Sequence, residues 1–135
     1  MEAIDQDGVR YAEVIWRDTT VDHTTFYSPP SSSFQFGLLA HEAGYSEDPH
    51  SHRATVRQID DLQQMLVVQR GVVAVELFTD AGDKFREVVL REGDAIVLIH
   101  GIHAIRVIED LQALTVKQGP FLGAELDKVA VRQRA

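Results

Sequence analysis

Residues 71–99, GVVAVELFTDAGDKFREVVLREGDAIVLI, carry the clearest structural signal in the chain. Gly71, Gly82 and Gly93 stand 11 residues apart, and β-branched apolar residues fill the stretches between them. The turn-forming sequences DAGD and REGD surround the second and third of these glycines. Short strands at this spacing are typical of a β-sandwich or a β-barrel rather than of alternating strands and helices.

The same pattern continues on both sides of this stretch. In all, strands are predicted at Val14–Trp16, Phe34–Ala40, Met65–Gln69, Val72–Phe78, Phe85–Leu90, Ala95–Ile99, His103–Val107 and Ala113–Lys117. Short helices are predicted only around Ile59–Gln63 and after Leu122, and the last five residues are expected to fray. The fold class predicted from this pattern is therefore all-β.

Length and composition favour one domain and restrict the classes of partner. The 135 residues are 44% hydrophobic and 25% charged, which is ordinary for a globular domain. We expect one domain over residues 1–135, with a core at 34–123, an N-terminal strand and irregular connection at 1–33, and a C-terminal tail at 124–135. A formal net charge of −8 disfavours nucleic acid as a partner. With no signal peptide or membrane-spanning run, a cytoplasmic protein that does not bind membranes is expected.

Two of the six histidines form a candidate metal-binding pair. His50 and His52 end the segment GYSEDPHSH at residues 44–52. In an extended strand alternate side chains leave the same face, so the two imidazoles can share one ion. The chain has no cysteine, so any metal must be held by imidazole, carboxylate or amide groups. Glu47 and Asp48 precede the pair and are candidates for orienting an imidazole through a hydrogen bond.

The histidine pair is part of a pattern that resembles the first motif of the cupin superfamily. That motif is a glycine followed by His-x-His, then a glutamate and a second glycine, and Gly44, His50, His52 and Gly71 occupy these positions. Gln64 stands where the family has glutamate, after a longer gap than usual.

Residues 93–103, GDAIVLIHGIH, resemble the second cupin motif, with His103 at the histidine position. Ile99 stands in place of the motif's proline, and Val107 stands in place of its closing asparagine. The resemblance covers roughly residues 34–123.

This resemblance implies a double-stranded β-helix, or jelly-roll, barrel that holds one divalent ion. The implied ligands are His50, His52, Gln64 and His103, and Gln63 replaces Gln64 if a bulge reverses the strand parity. Because three imidazoles and an amide are neutral, the ion keeps its double charge and favours an anionic ligand. Zn, Fe, Mn and Ni all suit this ligand set.

The expected function is that of an enzyme whose ion acts as a Lewis acid on a small polar or anionic metabolite, such as a sugar or a keto acid. Arg57, His100 and Lys117 are the candidates for binding this substrate, and the acid–base group is left unassigned. Two alternatives stay open: a three-histidine Fe(II) dioxygenase, and a small-ligand binding or sensor module without catalysis. By analogy with small cupins, a homodimer is expected, with Glu13–Trp16 as its interface strand.

Overall fold

Eight strands and one short helix form the regular structure of residues 1–131, which the computed structural model describes. The strands are β1 (Glu2–Gln6), β2 (Val9–Ile15), β3 (Thr25–Phe26), β4 (Gly37–Leu38), β5 (Gln64–Phe78), β6 (Lys84–Leu90), β7 (Ala95–Leu98) and β8 (Ile102–Lys117), and the helix is α1 (Ala124–Asp127). The prediction of a nearly all-β chain is confirmed. The tail expected to fray lies, from residue 132 onward, outside the described residues.

The chain forms two compact units, of which the larger contains Met1–Thr19 and the chain from Leu62 onward. This unit is a six-stranded antiparallel sheet with the order β1-β2-β7-β5-β6, and β8 also pairs with β5. β8 pairs with one edge of β5 along the whole length of β5. The other edge of β5 pairs with β7 near its start and with β6 near its end. The sheet curls into a half-barrel.

Alternate residues of β5 build the core on the concave face of this sheet. Val73, Val75 and Leu77 are each 1% exposed or less. Directly opposite residues in an antiparallel pair share a face, so the cross-strand partners Leu90 and Val88 join the same apolar cluster. The register therefore shows which side chains of the neighbouring strands lie on the concave face.

Gly71 explains why two predicted strands are one. The sequence places a break between Met65–Gln69 and Val72–Phe78, whereas the structure has β5 running unbroken through both, with register shifts against β8 around the glycine. Gly71 has φ +89°, and a Cβ on it would lie 2.1 Å from the Asp110 carbonyl oxygen. The glycine thus forms a bulge at which β8 approaches closely, rather than a turn that ends the strand.

The two strands predicted after Gly101 also merge. His103–Val107 and Ala113–Lys117 are both parts of β8, because the antiparallel ladder with β5 continues across the residues between them. The strand predicted at Val14–Trp16 is longer than expected, since β2 begins at Val9. β2 is paired with β1 on one edge and with β7 on the other, so it is not free to serve as the interface strand that was expected at Glu13–Trp16.

The turn before β7 is fixed by a buried carboxylate. Asp94 is 6% exposed, and its two oxygens accept hydrogen bonds of 2.9 Å from the backbone N–H groups of Arg17 and Arg91. A buried carboxylate is stable only when such donors compensate its lost hydration. The turn chemistry predicted at REGD is therefore present, and it also ties the end of β2 to the start of β7.

The smaller unit, Thr20–Asp61, has little regular structure. β3 pairs with β4 through only Thr25–Leu38 and Phe26–Gly37. The strand predicted at Phe34–Ala40 is thus reduced to two residues. The Ser28 hydroxyl, which accepts a hydrogen bond from the Phe36 N–H at 2.9 Å, supports the loop between the two strands.

Of the two predicted helices, one is present. α1 follows Leu122 as expected, whereas Ile59–Gln63 is not helical. Within residues 1–131 no helix has the length and apolar character that a membrane span requires.

Candidate metal centre

His50 and His52 lie side by side in the smaller unit. Their ring centres are 5.4 Å apart and their planes are at 83°. Residues 46–59 carry no regular secondary structure, so the regular extended strand on which the alternation argument relied is absent. The two imidazoles are brought together by the local conformation of an exposed segment instead of by strand alternation.

The tautomer of His50 is set by its neighbours. Its Nδ1 atom lies 3.0 Å from the Asp48 carbonyl oxygen and 3.8 Å from a carboxylate oxygen of Glu47. A carbonyl oxygen can only accept a hydrogen bond, so Nδ1 carries the proton and Nε2 keeps its lone pair. Metal-bound histidines commonly have this arrangement, in which the second ring nitrogen donates to a carbonyl or a carboxylate.

The spacing of the two rings suits a shared ion. With metal–nitrogen distances near 2 Å and a roughly tetrahedral angle, the centres of two imidazoles on one ion are about 5 Å apart. The observed 5.4 Å agrees with this value. Two imidazole nitrogens at this separation can supply two of the ligands of a Zn, Fe, Mn or Ni ion.

Gln64 begins β5 on the concave face of the larger unit, directly opposite Leu98 and Lys117. Its amide nitrogen donates to the Thr115 hydroxyl at 2.9 Å, so its oxygen is the atom suited to a cation. The alternative ligand, Gln63, is 5% exposed, and its backbone N–H donates to the Gln118 side chain at 2.9 Å. Which of the two glutamines is a ligand stays an open prediction.

His103 lies on the concave face near the start of β8, opposite Leu77 of β5. Desolvation by the surrounding protein lowers the pKa of His103 below its ordinary value of 6.5, and the positive charge of Lys128 lowers it further. The imidazole is therefore neutral at neutral pH, which is the form that binds a metal.

The predicted ligand set is divided between the two units. His50 and His52 belong to the smaller unit, whereas Gln64 and His103 lie at opposite ends of β5 in the larger one. Among the described residues, no three histidine, cysteine, aspartate or glutamate side chains are grouped so that they could hold an ion. The structure thus brings together one pair of the four residues, and the complete set stays a prediction.

The three predicted substrate-binding residues lie in different settings. The guanidinium of Arg57 is on the exposed segment and lies 3.5 Å from the Thr55 carbonyl oxygen. His100 is 3.1 Å from the Asp80 carboxylate, and its ring contacts Tyr11 edge-on.

Lys117 shares the concave face with Gln64, directly opposite it. Its ammonium lies 3.4 Å from the Asp127 carboxylate and 4.9 Å from the centre of the Phe121 ring. The carboxylate partner reduces the charge that this lysine offers to an anionic ligand.

Sequence reasoning missed a buried acid in β2. Glu13 is 3% exposed and bonds through one oxygen to the Arg10 guanidinium, while its other oxygen has no hydrogen-bond partner within residues 1–131. Arg10 also bonds to Asp5, and the hydrogen bonds to these two carboxylates raise its pKa. The sequence signal for this cluster of Asp5, Arg10 and Glu13 is a single acidic residue within an apolar strand. A buried carboxylate needs a cation, so such a residue predicts a basic partner nearby.

The chain was compared with protein-family models, with curated proteins and with solved structures, and no match was found in any of the three comparisons.

Proposed function

We propose that this protein binds one divalent metal ion through His50 and His52 and uses it on a small polar or anionic metabolite. The observation that supports the proposal most strongly is the pair of imidazoles with ring centres 5.4 Å apart, of which His50 has its Nδ1 atom on the Asp48 carbonyl oxygen. That hydrogen bond leaves Nε2 available as a ligand. When bound, the ion would supply Lewis-acid polarisation of a carbonyl or hydroxyl oxygen.

The other predicted ligands have the chemistry that such a site needs. His103 is held neutral by its lowered pKa, and the side chain of Gln64 offers an amide oxygen. Imidazole and amide ligands are uncharged, so an ion held by them keeps its double charge and favours an anionic metabolite such as a keto acid over a neutral one. Arg57 and Lys117 are the cations proposed to pair with its carboxylate.

We propose a cupin-type barrel as the fold that carries this chemistry. Support comes from the curled antiparallel sheet and from the glycine-spaced strands β5, β6 and β7. The two degenerate motifs that resemble those of cupins are the other support, and they include all four proposed ligands.

Metal titration tests the proposal. The protein is purified without chelator or nickel resin, its metal content is measured by elemental analysis, and the stripped protein is titrated with Zn²⁺ and Mn²⁺ by calorimetry. We expect one ion per chain, and we expect a loss of affinity of at least about tenfold in His50→Ala and in His52→Ala, since each removes a ligand. His23→Ala is the matched control and should bind as the unmodified chain does.

The same variants separate the ligands from bystanders. His103→Ala or Gln64→Ala weakens binding only if that residue joins the histidine pair, and at most one of the two can do so because they lie at opposite ends of β5. Undiminished binding in the double variant His50→Ala/His52→Ala contradicts the proposal. Oxygen uptake by the Fe(II)-loaded protein in the presence of substrate would indicate a dioxygenase instead of an enzyme that uses its ion as a Lewis acid.

A further inference from the structure

β8 has an unpaired edge of unusual length. The strand has 16 residues and pairs with β5 on one side, and within residues 1–131 no strand pairs with its other side. Ile105, Val107 and Leu114 on this strand are 52%, 51% and 51% exposed. Proteins usually protect long edge strands with charged residues, proline or bulges; β8 has no proline and one lysine, Lys117 at its end, and its other charged residues and its bulge lie near the middle.

We propose that this edge pairs with β8 of a second copy of the chain. The two strands would run antiparallel about a two-fold axis at Ile108 and join the two sheets into one. Such an interface uses the same surface on both copies, as closed dimers commonly do.

The faces of β8 define the possible registers. His103, Ile105 and Val107 lie opposite core residues of β5, and Ala113 does so in the other half of β8. Odd-numbered residues therefore share the concave face at residues 103–107 and again at 113–117, and the ladder is irregular between these two halves. Two residues that pair across the dimer must lie on the same face, so both their numbers are odd or both are even. The midpoint of every such pair is then a residue, and the two-fold axis passes through that residue.

Among these registers, the one centred on Ile108 pairs unlike charges and several apolar groups, and it also sets Val107 opposite Glu109. It sets Arg106 opposite Asp110 of the second copy, and by symmetry this contact occurs twice. It also sets Ile105 opposite Leu111 and Ile102 opposite Leu114. Oppositely charged and apolar cross-strand pairs both stabilise an antiparallel pairing.

The charge of β8 favours a second copy as the occupant. The whole chain carries a formal charge of −8, which opposes self-association over most of its surface. On β8, however, Arg106 and Lys117 balance Glu109 and Asp110. Two acidic chains can thus meet along this strand without a net repulsion between the strands themselves.

The bend in β8 is compatible with this pairing. Register shifts against β5 lie near the middle of the strand, where the ladder passes Arg70 and Val72. Bulges often hinder edge pairing because they bend one strand away from its neighbour. A two-fold axis along the sheet normal keeps both concave faces on one side, so the two strands bend in the same direction.

Cross-linking through introduced cysteines tests the register, because the natural chain has no cysteine. In the proposed dimer, residue 108 faces its own copy at about 5 Å between Cα atoms, which suits a disulfide. Ile108→Cys should therefore form a covalent dimer on mild oxidation. Val116→Cys is the matched control on the same strand, because its two copies would be more than about 40 Å apart.

Charge exchange tests the same contact in the unoxidised protein. Sedimentation should show a species of twice the 15.1 kDa chain mass. Arg106→Asp should weaken dimerisation at least tenfold, and Arg106→Asp/Asp110→Arg should restore it. Arg106 also lies 3.2 Å from Glu87 within the chain, so thermal unfolding of each variant is measured as a check on folding.

The outcomes are decisive. A monomer at all concentrations up to the millimolar range overturns the proposal. A dimer that cross-links equally well through position 116, or that the charge exchange does not restore, also overturns it. Selective cross-linking at position 108 together with restoration by the exchange supports it.

Discussion

The protonation of His103 depends on where β8 places it. Partial desolvation and the nearby Lys128 lower its pKa below 6.5, so the folded protein binds a proton there less readily than the unfolded chain does. Because the unfolded state gains the proton first on acidification, stability falls as the pH drops through the unfolded value. His103 thus contributes a loss of stability on going from about pH 7.5 to pH 5.5.

We predict that His103→Gln reduces this loss. Thermal midpoints of metal-free protein, measured in chelator across this pH range, should fall less steeply in the variant than in the unmodified chain. His23→Gln is the matched substitution and should leave the slope unchanged. An identical slope in His103→Gln and in the unmodified chain would show that the surroundings of His103 do not control its titration.

At the scale of elements, the bulge at Gly71 holds β5 and β8 together. A side chain there would meet the Asp110 carbonyl oxygen at 2.1 Å and would occupy the left-handed region at φ +89°. We predict that Gly71→Ala destabilises the fold by about 2 to 4 kcal/mol, as measured by urea unfolding.

Gly8→Ala provides the control for this prediction. Gly8 also has a positive φ, +78°, but nothing lies within 4 Å of the position that a Cβ would take. Only the backbone preference is lost there, so a cost of about 1 kcal/mol is expected. Equal costs at the two glycines would mean that the close approach of β8 contributes nothing to stability.

The strands were predictable to the extent that apolar periodicity marks them. β6 and β7 were placed within one residue at each end, because turn sequences flank both. β5 was divided into two, because a glycine at a bulge has the same appearance in a sequence as a glycine at a turn. β8, which contains no glycine, was divided at residues 108–112. Only the approach of Asp110, which is distant in sequence, distinguishes the two cases.

At the scale of the whole molecule, the chain has two units, and local patterns predicted the larger one better. The smaller unit is held by side-chain contacts such as that between Ser28 and Phe36, which leave no periodic signal. The histidine pair was found from its spacing alone, although the strand that was to align it is absent. Its alignment depends on a backbone carbonyl, that of Asp48, and spacing does not reveal such a contact.

We propose above all that His50 and His52 bind one ion together. Nitrogen-15 NMR of the imidazoles during a Zn²⁺ titration tests it most directly, since it reports the tautomer of each ring. We expect metal-free His50 to carry its proton on Nδ1. We also expect one nitrogen signal from each of the two rings to shift in parallel and to saturate at one ion per chain. Unchanged signals from both rings, or shifts in only one of them, would contradict it.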